Sequence, residues 1–125
     1  MYSIKVRDHI MIAHSFNDAL FGPAQKLHGA TYIVDVTFFA SLLNKQNVVV
    51  DIGQALDSLK KTLQPLNYQN LDELPQFNCQ LTTTEYLAKY IHDIIRQDMK
   101  SIFAGRIKVT LGESHVAWGS YEGEE

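Results

Sequence analysis

Apolar and polar residues alternate through the first stretch of the chain. Ile4, Val6, Ile10 and Ile12 mark one face of a strand over residues 2–14. The alternation falters at Asp8-His9, which predicts a bulge or bend there. Residues 15–27 carry Gly22-Pro23 and read as a loop. Residues 29–40 (GATYIVDVTFFA) are rich in β-branched and aromatic side chains and predict a second strand. No helix-forming stretch separates these two strands, so they are expected to pair antiparallel across the loop.

The period then changes. Asp51 is a good N-cap for a helix from 52 to about 64, with Ile52, Leu56, Leu59 and Leu63 on its apolar face and Pro65 ending it. Residues 66–81 read mostly as loop. Thr83 or Thr84 caps a second helix with Leu87, Ile91, Ile94 and Ile95 on its buried side, and Gly105 closes that region. Residues 106–111 (RIKVTL) and 115–121 (HVAWGSY) predict a hairpin around Gly112-Glu113-Ser114. The order β-β-α-α-β-β predicts a single α+β domain over 1–125, an antiparallel four-stranded sheet with two helices on one face. Such a sheet has two free edges, which invite pairing between subunits.

Composition narrows the chemistry. The 125 residues are 46% hydrophobic and 20% charged, as in ordinary globular domains. Net charge is −3, and no basic run exceeds Lys60-Lys61, so neither a nucleic-acid stripe nor a basic membrane-surface helix is expected. No apolar run approaches the roughly 20 residues of a membrane-spanning helix, and the N-terminal stretch lacks a signal-peptide plan. A cytoplasmic location is the expectation. One cysteine, Cys79, excludes an internal disulfide and a multi-cysteine zinc site.

Five histidines are present. His92 lies mid-helix beside Asp93 and reads as a surface residue. His14 ends the first strand and His28 begins the second, so antiparallel pairing brings them together. Paired imidazoles are a common start of a zinc site; two unrelated polar strand ends are the plainer alternative. His9 would reach the side of His14 only through a bulge. Met11 and Phe38-Phe39 read as core or subunit interface.

Five short motifs in order resemble the 6-pyruvoyl-tetrahydropterin synthase / 6-carboxytetrahydropterin synthase family, of tunnelling-fold (T-fold) type. They are Ala13-His14, His28-Gly29-Ala30-Thr31-Tyr32, Asp51, Thr83-Thr84-Glu85 and Glu113-Ser114-His115-Val116-Ala117-Trp118-Gly119-Ser120-Tyr121. The resemblance spans nearly the whole chain. It implies a T-fold, a homohexamer, zinc held in part by His14 and His28, and a pterin-like ligand. It also implies that Glu113 anchors the ring, since one carboxylate can accept two N–H donors from a 2-amino-4-oxo pyrimidine edge. Thr83 and Thr84 match pocket threonines. On position alone, Glu113 would be a turn carboxylate and the threonines a helix cap.

The departures are chemical. The family's third zinc histidine is Ala30, its catalytic cysteine is Ala24, and its Asp-His pair aligns with Asn67-Tyr68. Alanine has no proton to give, and asparagine cannot accept one at neutral pH. Tyr68 and His115 are left as the candidate catalytic groups, and His115 or His9 as a recruited third zinc ligand. The expectation is a divergent, metal-dependent carbon–oxygen lyase acting on a dihydroneopterin-like substrate. The alternative is an oligomer that binds a pterin or purine without catalysis.

Overall fold

The computed structural model describes residues 1–123. Strand β1 (Tyr2–His14) pairs antiparallel with β2 (His28–Ala40), from Tyr2 opposite Ala40 to His14 opposite His28, with no shift of register. The bulge expected at Asp8-His9 is therefore not formed. Asp8 simply occupies a core-side position: Ile4, Val6, Asp8, Ile10, Ile12 and His14 all share one face, because side chains alternate with period two. His9 consequently lies on the face opposite His14.

The sheet has five strands in the order β3-β1-β2-β4-β5. Strands β4 (Arg106–Ser114) and β5 (Ala117–Gly123) form the closing hairpin, and β4 pairs antiparallel with β2. The strand beyond the expected four is β3 (Gln69–Asn70), two residues lying parallel to Ile12-Ala13 on the outer edge of β1. Helices α1 (Ile52–Leu63) and α2 (Thr84–Asp98) lie against the sheet. Between sheet and helices sits one core that includes Tyr32, Val34, Val36, Phe38, Leu59, Leu87 and Ile91.

The helices turn their faces slightly from the expected ones. Asp51 caps α1, accepting from the Gln54 N–H at 2.8 Å. Its buried residues are Ala55, Ser58, Leu59, Thr62 and Leu63, while Ile52 and Leu56 are exposed. Thr62 tolerates burial because its hydroxyl donates to the Ser58 carbonyl at 2.7 Å. On α2, Ile94 points largely outward and His92 inward. His92 is not a surface residue: its ring is buried edge-on against Tyr121, with Nδ1 3.0 Å from Asp93 Oδ1 and Nε2 3.4 Å from the Gly123 carbonyl oxygen. A neighbouring carboxylate made this position look solvated in the sequence, but it supplies the partner that permits burial.

Two stretches read as loop are partly helical. Residues Ala19–Gln25 form a 3-10 segment capped by Asp18, and Leu71–Glu73 and Pro75–Phe77 form two short turns that bury Leu71 and Phe77. The hairpin turn also moves. It falls at His115-Val116, not at Gly112-Glu113-Ser114. Gly112 is needed for another reason: it pairs with Trp118, and a Cβ there would lie 2.3 Å from a carbon of the indole ring. No helix among the described residues is long and apolar enough to cross a membrane.

Candidate functional site

The pairing of β1 with β2 ends on two histidines. His14 is fully buried and His28 partly so, and their ring centroids lie 4.7 Å apart. Phe16 closes the other side of His14 at 4.5 Å and is itself backed by Phe21 at 4.6 Å. His28 Nδ1 lies 2.8 Å from the Lys26 carbonyl oxygen. A carbonyl can only accept, so Nδ1 donates and the neutral ring carries its lone pair on Nε2. His14 Nδ1 meets the Thr82 hydroxyl at 3.0 Å, and its Nε2 has no partner although buried. Burial, then the neighbouring His28, push the His14 pKa down to about 4, against an opposing pull from Asp72 and Thr82. His14 is thus neutral at physiological pH.

A second group lies along β2. Tyr32 is fully buried on the same face as His14, with ring centroids 6.4 Å apart. Its hydroxyl has no partner in hydrogen-bonding geometry. Burial raises its pKa; Thr84 opposes this, and the charges of Glu113 and Glu85 add to it. Thr84, Glu113 and Glu85 therefore all act on the Tyr32 hydroxyl. Backbone pairing explains how. Ile33 opposite Gly112 is the last aligned pair of β2 and β4, and the register of β4 on β5 shifts between Gly112 and Ser114. Glu113 is the extra residue of that bulge, set next to Tyr32 and re-aimed out of the regular pleat. On the other side, Gly119 of β5 makes room for α2: a Cβ there would lie 2.8 Å from Thr84 Cγ2. Thr83 is the helix cap, accepting from the Tyr86 N–H at 3.2 Å.

The structure therefore brings His14 together with His28, and sets Tyr32 near His14 on one side and near Thr84 and the Glu113 charge on the other. It keeps the two candidate catalytic groups, Tyr68 and His115, apart from them. Tyr68 sits on the outer edge of β1 with φ 61°, 77% exposed, its N–H donating to the Met11 carbonyl at 2.7 Å. Asn67 beside it accepts from the Met11 N–H at 3.0 Å, a structural use of its amide oxygen. His115 lies in the exposed hairpin turn, not on a strand face shared with Glu113. Cys79 is exposed in the segment before α2. Ala24 occurs in the 3-10 segment, where its carbonyl accepts from the Phe16 N–H.

The residues present do not fit a zinc centre within one chain. His14 and His28 offer two imidazoles, and catalytic zinc ordinarily takes three protein ligands. Among the described residues no group of three or more His, Cys, Asp and Glu side chains is arranged to hold a metal ion. His9 is excluded as the recruit by the unbroken register of β1, and His115 does not join the pair.

Three site residues escaped the sequence reading. Tyr32 was quoted only as part of a motif. Thr82 precedes the matched threonines by one residue yet is the one bonded to His14. Asp72 accepts from the Ser15 hydroxyl at 2.6 Å and acts on His14 through its charge. A buried tyrosine in a strand carries no sequence signal of a lost partner; Thr82 and Asp72 depend on contacts 68 and 57 residues away.

Comparison with known proteins agrees with this fold. The family model described as 6-pyruvoyl tetrahydropterin synthase matches residues 3–124. No curated protein matches the chain. Among solved structures, the 6-pyruvoyl tetrahydropterin synthase of Caenorhabditis elegans superposes with a TM-score of 0.84 at 22% identity, covering 98% of this chain and 95% of that one. The Plasmodium vivax enzyme gives 0.77 at 15% identity, covering 99% and 98%. An uncharacterised protein of Wolinella succinogenes gives 0.75 at 13%, covering 98% of each. At these identities the superpositions establish the T-fold.

Proposed function

The chain belongs to the 6-pyruvoyl tetrahydropterin synthase family, and on that footing we propose that it is a pterin-synthase-like carbon–oxygen lyase acting on a dihydroneopterin-like substrate. The observation that carries this reading is the placement of Glu113. A bulge in the closing hairpin sets this exposed carboxylate near Tyr32, which also meets Thr84, while the His14–His28 pair lies on the β1 side of Tyr32. A flat 2-amino-4-oxo ring fits the first feature, because a carboxylate accepts its paired N–H donors. A polar ring substituent then points toward His14 and His28.

Proton transfer in this reading falls to residues from outside the buried cluster. His115 lies two residues from Glu113 in an exposed turn and can fold over a bound ring. Tyr68 stands on the open edge of the sheet, so it reaches a pocket only in a second copy of the chain. This is consistent with a homo-oligomer, a hexamer of stacked trimers, whose sheet edges join between subunits. His14 and His28 are one ligand short of an ordinary catalytic zinc site, so zinc here would need a further ligand from a second copy of the chain.

Incubation with dihydroneopterin triphosphate, followed by chromatography of the pterin products, tests this function. Turnover supports the lyase. A second reading is favoured by Ala24 and by the structural engagement of Asn67: a pterin- or purine-binding oligomer without catalysis. Bound ligand detected by mass without turnover selects that reading.

A further inference from the structure

The face of the sheet turned away from the helices is charged opposite to the molecule. The chain carries −3 in all. Among the described residues, four of its eleven Lys and Arg stand on this face, Lys5 and Arg7 of β1 with Arg106 and Lys108 of β4, against two carboxylates, Asp35 of β2 and Glu122 of β5. No basic run marks this in the sequence, because positions 5, 7, 106 and 108 meet only through strand pairing.

Ion pairs answer two of the four cations. Arg7 takes both oxygens of the buried Asp35, at 2.6 and 2.9 Å, and holds that carboxyl below its ordinary pKa. Arg106 meets Glu122 at 2.8 Å and lies over the Phe39 ring at 4.7 Å. Two lysines are left in surplus. Lys5 stands 3.5 Å from an Asp35 oxygen that Arg7 already occupies. Lys108 forms no ion pair among the described residues. Both sit opposite one residue: Thr37 pairs with Lys5 on one side and with Lys108 on the other. Neighbouring strands lie about 4.8 Å apart, so the two lysines flank the half-buried threonine in a single row.

We infer that Lys5, Thr37 and Lys108 form a binding site for a terminal phosphate group, on the face opposite Tyr32 and independent of the pterin reading. A phosphate dianion presents three free oxygens. Two ammoniums and a hydroxyl offer a donor to each, and the charges match. The long lysine stems converge on one group above Thr37. Such a phosphate comes from a free oligophosphate or from a nucleotide. Trp118, the chain's one tryptophan, is half exposed on the same face, opposite Gly112 and four residues along β4 from Lys108. That is about 13 Å along the strand, within reach of the base of a nucleoside triphosphate.

Titration of the full chain with tripolyphosphate and with ATP, at low salt and without divalent cations, tests the site. Both probes are expected to bind. Lys5→Met and Lys108→Met should each weaken them about tenfold, and Thr37→Val severalfold. Lys60→Met, which removes an exposed lysine of α1, should leave binding within about twofold. Tripolyphosphate should raise the melting temperature of wild type and not that of the Lys5→Met, Lys108→Met double variant. Tighter ATP binding with quenched Trp118 emission supports the site and assigns a nucleotide. Equal affinities without quenching support it and assign a free oligophosphate. Wild type that binds neither probe, unchanged binding in both lysine variants, or an equal loss in Lys60→Met overturns it.

Discussion

Helix α2 rests on the same sheet along its whole length, yet its two halves treat buried polar groups in opposite ways. Toward its C-terminal end His92 has both ring nitrogens near acceptors, Asp93 and the Gly123 carbonyl. Arg96 donates to the carbonyls of Gly105 and Phe103 and lies over the Phe103 ring. At its first turn, Tyr32 Oη and His14 Nε2 are equally buried, and neither meets a protein partner in full hydrogen-bonding geometry. The first arrangement stabilises a fold. The second costs stability, and a ligand in the proposed pocket would offset that cost. Substitutions at the C-terminal half should therefore change melting and leave binding alone, and those at the first turn should do the reverse.

The largest effect is expected at Arg96. Arg96→Met removes the donor that answers the Phe103 and Gly105 carbonyls and should cost about 4 kcal/mol of stability. For a domain of this size that is a drop of roughly 10–15 °C in melting temperature. Pterin affinity of the folded protein, measured well below the transition, should stay within about twofold. Unchanged melting would break the contrast at its structural end.

Acid should separate wild type from His14→Gln. The folded pKa of His14 is lowered to about 4, against an unfolded value near 6.5. Between these values the unfolded chain binds the proton and the folded chain does not. Stability is therefore full above about pH 6.5 and falls as pH drops toward 4, by up to about 3 kcal/mol. Urea unfolding from pH 7.5 to 4.5 should show a shallower decline in His14→Gln. Parallel declines would mean that His14 is not held neutral by its surroundings.

Much of this contrast lay beyond a sequence reading. Strand and helix periods placed β1, β2, α1 and the start of α2 to within a residue or so, because each has a buried face of its own. The register of β1 against β2 followed, and with it the meeting of His14 and His28. Faces were less legible. His92 looked solvated because Asp93 is its neighbour, and Ile94 looked buried because it is apolar; packing of α2 on β5 reversed both. The Gly112-Glu113-Ser114 run resembled a turn, whereas Gly112 yields to the Trp118 ring and Glu113 sits in a bulge. Glu113 itself was found through a motif, not through any local signal. Tyr32 and Thr82 were invisible for a simpler reason. Their meaning lies in atoms far along the chain, or in the lack of them.

Glu113→Gln should act only on binding. Exchanging one carboxylate oxygen for an amide donor breaks one of the paired bonds to the ring and removes the charge from the other. The expected loss is about 2 kcal/mol, some thirtyfold in dissociation constant. Because Glu113 is exposed in the bulge, the melting temperature should stay within a degree or two. Unchanged affinity would place the ring anchor elsewhere and leave the first turn of α2 without its proposed partner.

The smallest effect sharpens the contrast within a single turn. Thr83 and Thr84 are adjacent and chemically identical, and nothing in the sequence parts them. The structure does. Thr83 spends its side chain on the helix, accepting from the Tyr86 N–H. Thr84 packs its methyl group toward Gly119 and turns toward the Tyr32 hydroxyl. Thr83→Ala should thus cost about 1 kcal/mol of stability through the lost cap, with pterin affinity unchanged. Thr84→Val keeps the shape and the methyl contact while removing the hydroxyl. It should leave stability within about 0.5 kcal/mol and weaken pterin binding severalfold. Paired melting and titration of the two variants decide between them. If both lower the melting temperature and neither touches affinity, the first turn of α2 is only a helix cap, and the boundary between the two halves of α2 must be drawn below it.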